Sequence, residues 1–167
     1  MKIIFLDIDG VLNSDESMRR KKRSGYGFDI HNTTQSYDCP SQPMIENLNH
    51  IVENTGAYIV ISSSWRHYHK IDEIKQLFEK LEIKGKIVDY TPVVKLSTYR
   101  GLEIQNWIDN YNEAKAKGNF LLKPIKSFVI LDDNNDMLNL KDRLVLTDYK
   151  IGLTKTNAEE AIKILNN

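Results

Sequence analysis

The stretch Lys2-Ile3-Ile4-Phe5-Leu6-Asp7-Ile8-Asp9-Gly10-Val11-Leu12 narrows what this chain can fold into. Four apolar residues, Ile3 to Leu6, run straight into Asp7, and a second acid and a glycine follow at Asp9 and Gly10. An unbroken apolar run rich in branched side chains suits a strand buried on both faces of a parallel sheet. Carboxylates are almost never fully buried without a partner. Two of them at the end of such a strand point to the sheet's carboxyl edge, where open α/β folds bind ligands. Gly10 permits a turn or a close backbone approach that a side chain would block. The plainer alternative makes Asp7 and Asp9 loop acids that cap the next segment.

Two further runs have the same form. Tyr58-Ile59-Val60-Ile61 empties into Ser62-Ser63-Ser64-Trp65-Arg66, and Ser127-Phe128-Val129-Ile130-Leu131 ends in Asp132, Asp133 and then Asp136. Helical stripes separate them. Met44, Ile45, Leu48, Ile51 and Val52 follow Pro43 and stop at Gly56, and Ile71, Ile74, Leu77, Phe78 and Leu81 stop at Gly85. A helix opening around Thr98 buries Leu102, Ile104, Trp107, Ile108 and Tyr111. Lys86 to Tyr90 and Leu144 to Leu146 are shorter strand candidates, and a short helix carries Met137, Leu138 and Leu140. Thr156-x-x-Glu159 has the form of a capping box for a last helix that buries Ala161, Ile162 and Leu165. Strands alternating with helices of this length imply right-handed βαβ units. The expected fold is α/β: a three-layer, Rossmann-like domain around a central parallel sheet.

A chain of 167 residues is expected to form one domain with a real core. Lys+Arg and Asp+Glu both total 23, so no global field argues for or against nucleic acid, and only local patches can matter. One such patch is Arg19-Arg20-Lys21-Lys22-Arg23, inside a polar, loop-rich insertion at about residues 13–40. The single cysteine, Cys39, cannot form an internal disulfide, which fits a reducing compartment. With no secretory or membrane-spanning run evident, a cytoplasmic protein is expected, with no membrane and no obligate protein partner.

In a parallel sheet the three strand endings converge on one edge. Five carboxylates gathered there repel one another and raise each other's pKa unless a cation neutralises them. An oxygen-only ligand set in a small site favours Mg²⁺, held by a few carboxylates, waters and a substrate phosphate. The alternative for Asp132 to Asp136 is a helix N-cap with acids in its first turn, which is compatible with metal binding. Ser62 and Ser63 can donate hydrogen bonds to a phosphoryl oxygen, or can be plain turn residues. Arg100 stands near a helix start, where the dipole disfavours a cation, so an anion to hold is the better reason for it. Lys95 is its rival, and for either a solvated surface charge is the plain alternative.

These pieces, in this order, resemble the four motifs of the haloacid dehalogenase-like (HAD) phosphohydrolases over nearly the whole chain. Asp7-Ile8-Asp9-Gly10 is similar to the first motif and Ile61-Ser62 to the second. Arg100 is the candidate for the third, and Ile130-Leu131-Asp132-Asp133-x-x-Asp136 resembles the fourth. Ile61-Ser62-Ser63-Ser64-Trp65-Arg66, Arg100-Gly101-Leu102-Glu103-Ile104 with Trp107, and Gly152-Leu153-Thr154 look closer to one branch, the phosphatase-like domain of Swiss-army-knife RNA repair proteins. The resemblance implies Mg²⁺-dependent hydrolysis of a phosphomonoester through an aspartyl-phosphate. Asp7 would be the nucleophile and Asp9 the general acid/base, with Ser62 or Ser63 and Arg100 holding the phosphate. Asp7, Asp9, Asp132 and Asp133 would surround the metal, with Asp136 supporting them.

Large caps in this superfamily are inserted after the first motif or before the third, and here both intervals are short, so little or no cap is expected. An open site admits a large phosphorylated substrate such as a polynucleotide end, with Trp65 or Tyr26 available to stack on a base. A mononucleotide or small phosphometabolite is the alternative substrate. A phosphate-binding module without chemistry is the alternative of another class, although binding alone would not need the second acid at Asp9.

Overall fold

The computed structural model describes residues 1–23, 40–94, 99–119 and 121–167, with the backbone alone for residues 20–23. Among the described residues, five strands form one parallel sheet in the order β3-β2-β1-β4-β5. The first apolar run is the central strand β1 (Lys2–Leu6), and its residues Ile3 to Leu6 are fully buried. On one side lie β2 (Tyr58–Ile61) and β3 (Ile87–Tyr90), and on the other β4 (Ser127–Asp132) and β5 (Leu144–Leu146). Leu6 is level with Ile61 on one neighbour and Leu131 on the other, so Asp7, Ser62 and Asp132 leave the sheet at the same height. The strand order reverses direction at β1, and that reversal opens a crevice at the carboxyl edge between β1 and β4.

Alternation along each strand sends side chains to two different layers. Ile4, Leu6, Ile59, Ile61, Val129 and Leu131 meet α2 (Gln42–Thr55), α3 (Ile71–Lys80) and α5 (Lys155–Asn166). Ile3, Phe5, Val60 and Ile130 meet Ile104, Trp107 and Ile108 of α4 (Arg100–Ala116), with Met137 and Leu140 beside them. Phe5 and Trp107 pack edge to face with centroids 5.4 Å apart. The helix α1 (Asp15–Arg23) follows β1 and precedes α2 in the chain, and its first amides, those of Asp15 and Glu16, donate to the carbonyls of Tyr149 and Lys150. That contact docks α1 on the loop that follows β5, at the carboxyl edge.

Two local expectations are corrected. The last helix is capped by Thr154 and Asn157 rather than Thr156 and Glu159: Thr154 Oγ accepts from the Asn157 amide at 3.2 Å, and Asn157 Oδ1 accepts from the Thr154 amide at 3.1 Å. An asparagine at the third helical position offers the same acceptor as an acid, so the box closes two residues earlier. The segment after Asp136 is a 3₁₀ helix (Leu138–Arg143), in which Met137 and Leu140 turn inward while Leu138, at φ +52°, is exposed. A three-residue turn puts positions i and i+3 on one face, which leaves Leu138 outside. The fourth helix begins at Arg100, while Thr98 lies outside the described residues, as do Lys95, Tyr26 and Cys39. No helix among the described residues is long and apolar enough to cross a membrane.

Candidate active site

Asp7 and Asp132 continue the faces of Phe5 and Ile130, which look toward α4. The first residue of that helix is Arg100, and its guanidinium stands between the two acids. Nη2 lies 3.5 Å from Asp7 Oδ2 and Nε lies 3.3 Å from Asp132 Oδ2, with the arginine side chain 17% exposed. Asp133 joins the group. Carboxylate oxygens of Asp7, Asp132 and Asp133 all lie within 4.8 Å of one another. A cation at a helix N-terminus opposes the dipole, and here the nearby carboxylates offset that cost.

Burial dominates the electrostatics. It raises the pKa of Asp7, against the Arg100 charge, a hydrogen bond from Ser63 and the Ile8 amide, which favour the ionised form; the Ile8 amide donates to Asp7 Oδ1 at 2.8 Å. Burial, and next the neighbouring Asp7, push Asp132 up to about 7. Asp133 is raised as well, chiefly by burial, with Asp9 adding to the effect. Asp132 Oδ1 accepts from the Asn134 amide at 2.9 Å, whereas its buried Oδ2 has the Arg100 ion pair but no hydrogen bond.

Several backbone devices hold these groups in place. Gly10, at φ +74°, lies so near Asp133 that a Cβ would meet Asp133 Cγ at 2.5 Å. The Thr147 hydroxyl donates to the Gly10 carbonyl at 2.8 Å and its amide to the Asp132 carbonyl at 3.0 Å, tying the first acidic turn to the end of β4. Asp136 caps α4 from outside the helix. Its Oδ2 accepts from the Arg100 amide at 3.3 Å and its carbonyl from the Gly101 amide at 3.3 Å. A Cβ on Gly101 would sit 2.4 Å from the Met137 backbone, so only glycine lets the helix head approach this closely.

The carboxylate of Asp9 is not part of the three-acid group. Its Oδ1 accepts from Asn13 Nδ2 at 3.1 Å and its Oδ2 from the Trp65 indole at 3.0 Å. The polar edge of Trp65 is thus used on Asp9, and its ring stands 5.3 Å from that of His69. Ser63 hydrogen-bonds Asp7, and Ser63 Oγ also accepts from the Trp65 amide at 3.3 Å. Ser62 Oγ is buried without a hydrogen-bond partner among the described residues.

Arg66 and Glu103 were not recognised from the sequence as site residues. Arg66 Nη1 donates to the carbonyls of Ser62 (3.0 Å) and Ser63 (2.5 Å), and Nη2 donates to Glu103 Oε2 at 2.5 Å. Both were visible in the branch-like stretches 61–66 and 100–104, but nothing local says that they meet. A cleft of about 270 Å³ runs past them, lined by Ser64, Arg66, His67, Arg100, Glu103, Asn134 and Asp136. Of the basic run, only the Arg19 side chain is described, exposed and paired with Asp15 at 2.9 Å.

The three converging carboxylates fit a divalent cation. Their donors are all oxygen, they crowd within one ion's reach, and the buried Asp132 Oδ2 has an acceptor position to fill. No curated protein and no solved structure matches the chain. A family model does, over residues 3–158, and it covers all five strands but for Lys2, together with Asp7, Asp9, Asp132, Asp133 and Asp136. The chain belongs to that family, described as the HAD domain in Swiss Army Knife RNA repair proteins.

Proposed function

We propose that this protein is a Mg²⁺-dependent phosphomonoester hydrolase that acts through an aspartyl-phosphate on the phosphorylated ends of nucleic acid. The observation that carries the proposal is the position of Asp7: at the switch point of the sheet, touching Arg100, beside Asp132 and Asp133, and two residues before a second acid. A HAD domain generally belongs to a hydrolase, and the resemblance of all four motifs assigns the roles.

An oxygen of Asp7 attacks phosphorus as the bond to the leaving oxygen breaks, and Asp9 protonates that oxygen. Asp9 then takes a proton from water, which attacks the phosphorus and frees Asp7 and inorganic phosphate. One carboxyl group can serve in both directions when it is held in place, and the Asn13 and Trp65 donors hold Asp9. Dividing the reaction between two displacements is the advantage of a covalent intermediate. Arg100 and the hydroxyls of Ser62 or Ser63 bind the phosphoryl oxygens, since positioning and charge stabilisation dominate phosphoryl transfer. Asp7, Asp132 and Asp133 hold Mg²⁺, which supplies the positive charge that keeps all three ionised and offsets charge on the phosphoryl group. Asp136 serves from behind by fixing the head of α4.

The family's description names RNA repair, and α1, whose second half is the basic run, docks at the carboxyl edge. Both favour a polynucleotide end over a mononucleotide or small phosphometabolite. Asp7→Asn keeps the size of the side chain and removes the nucleophile. Phosphate release should fall by several orders of magnitude, as when other catalytic nucleophiles are removed. Near wild-type turnover in that variant defeats the mechanism. A phosphate-release screen over nucleotides and 3′- or 5′-phosphorylated oligonucleotides decides the substrate, and silence on every compound favours a binding module.

A further inference from the structure

Arg66 is the most deeply buried cation whose side chain is described in an ion pair, at 2% exposure, and the mechanism above gives it nothing to do. Burial lowers its pKa, with Glu103 opposing that shift and Arg100 adding to it. Its bonds are specific. One nitrogen gathers two successive carbonyls, those of Ser62 and Ser63, and the other reaches Glu103 on the first turn of α4. Glu103 stands three residues after Arg100 on the same helix. The guanidinium therefore links the turn after β2 to the helix that carries the cation on Asp7.

Peptide planarity gives this link a second consequence. In a trans peptide the N–H points opposite to the C=O. Drawing the Ser62 and Ser63 carbonyls toward Arg66 turns the amides of Ser63 and Ser64 the other way. Neither amide donates to an acceptor among the described residues, and the Ser63 hydroxyl already meets Asp7.

We propose that Arg66, held by Glu103, is a positioning residue that sets the Ser62–Ser64 peptides so that their amides cradle the phosphoryl group attacked by Asp7. This rests on the phosphatase reading of Asp7. Lysine cannot replace the arginine, because a single ammonium lacks the planar fork that serves two carbonyls and a carboxylate together.

The decisive variants are Arg66→Lys, Glu103→Gln and the double variant Arg66→Met/Glu103→Leu, which removes both charges without stranding either one. Replacing a buried pair by apolar residues of similar size is often neutral for stability, whereas removing one partner is not. Each variant is compared with wild type by thermal melting, by turnover of a small aryl phosphate, and by calorimetric binding of inorganic phosphate with Mg²⁺ present. The expected result for the folded double variant is a phosphate affinity about tenfold weaker and a kcat lower by about 10²-fold, the scale seen when a preorganised donor is lost. Arg66→Lys should show the same losses despite its conserved charge. Folded variants with wild-type phosphate affinity and kcat overturn the proposal and leave the pair a purely structural link. If the double variant fails to fold, Arg66→Lys and Glu103→Gln decide by the same two readouts. If wild type binds phosphate but does not turn over the ester, the mechanism falls, while the affinity comparison still tests the cradle.

Discussion

On one face of the sheet, α2, α3 and α5 meet Ile4, Leu6, Ile59, Ile61, Val129 and Leu131 through apolar side chains. On the other, α4 meets Ile3, Phe5, Val60 and Ile130 in the same way, and its head then adds ions. Arg100 reaches two acids, Glu103 reaches Arg66, and the first amides of the helix bond to Asp136. On the first face, residues far from the carboxyl edge, such as Leu48, are expected to tolerate change without moving a reacting group. Those on the second are not, because the helix that closes the core also aims the site. Apolar burial is non-directional and scales with area, whereas charged hydrogen bonds depend on geometry. Stability is therefore spread over both faces, while function depends on the position of one helix end.

The sharpest way to break this comparison is a pair of substitutions, one on each face. Leu48→Ala empties a fully buried site on the α2 face and should cost about 2–5 kcal/mol of stability. Its kcat, measured well below the melting temperature, should match wild type. A lower kcat in the folded variant would show that the two faces are not separable.

Gly101→Ala is the counterpart. The added methyl has no room against the Met137 backbone, so α4 must shift, at a cost of about 1–3 kcal/mol. Arg100 moves with it, and kcat should fall about 10–100-fold, the usual penalty for misplacing a catalytic group by an ångström. Equal kcat for Gly101→Ala and wild type would mean that Arg100 does not depend on the placement of the helix head.

A smaller effect concerns pH in the metal-free protein. Asp132 is pushed up to about 7 in the folded state, chiefly by burial, against an ordinary value of 3.8. Between those values the folded protein binds more protons than the unfolded chain, so stability falls as pH rises through that window. Asp7 and Asp133 are shifted in the same direction and add to the trend. In EDTA the melting temperature should be several degrees lower at pH 8 than at pH 5, and Mg²⁺ at pH 8 should restore much of the loss. A melting temperature indifferent to Mg²⁺ at pH 8 would count against a cation at the three acids.

The smallest effect is confined to large substrates. Replacing Arg19, Arg20, Lys21, Lys22 and Arg23 by serine should weaken binding of a phosphorylated oligonucleotide. Each lost contact to a single strand should reduce the salt slope by about 0.7. Turnover of a small aryl phosphate should hold, since that compound reaches only the inner site. Parallel losses on both substrates, or none on either, would remove the run from substrate binding.

The sheet and the acids at its edge were legible along the chain. Ile3 to Leu6, Tyr58 to Ile61 and Ser127 to Leu131 announce buried strands, because a short unbroken apolar run that ends in polar residues is a local signal and needs no distant partner to be read. Asp7, Asp132 and Asp133 followed from parallel strands ending together, and the structure gathers those three. The capping box slipped by two residues because Asn157 can play the acid's part.

By itself, then, the sequence determined the α/β class, the buried strands and which strand ends carry carboxylates, since each is a consequence of local pattern. Tertiary structure alone decided which side chains meet. It turned Asp9 toward Asn13 and Trp65, put the Ser63 hydroxyl rather than that of Ser62 on Asp7, and capped Arg100's helix with Asp136. It also joined Arg66 to Glu103, 37 residues later in the chain. Such contacts depend on how far one helix slides and turns over a sheet, a relation between elements that no short stretch of residues contains.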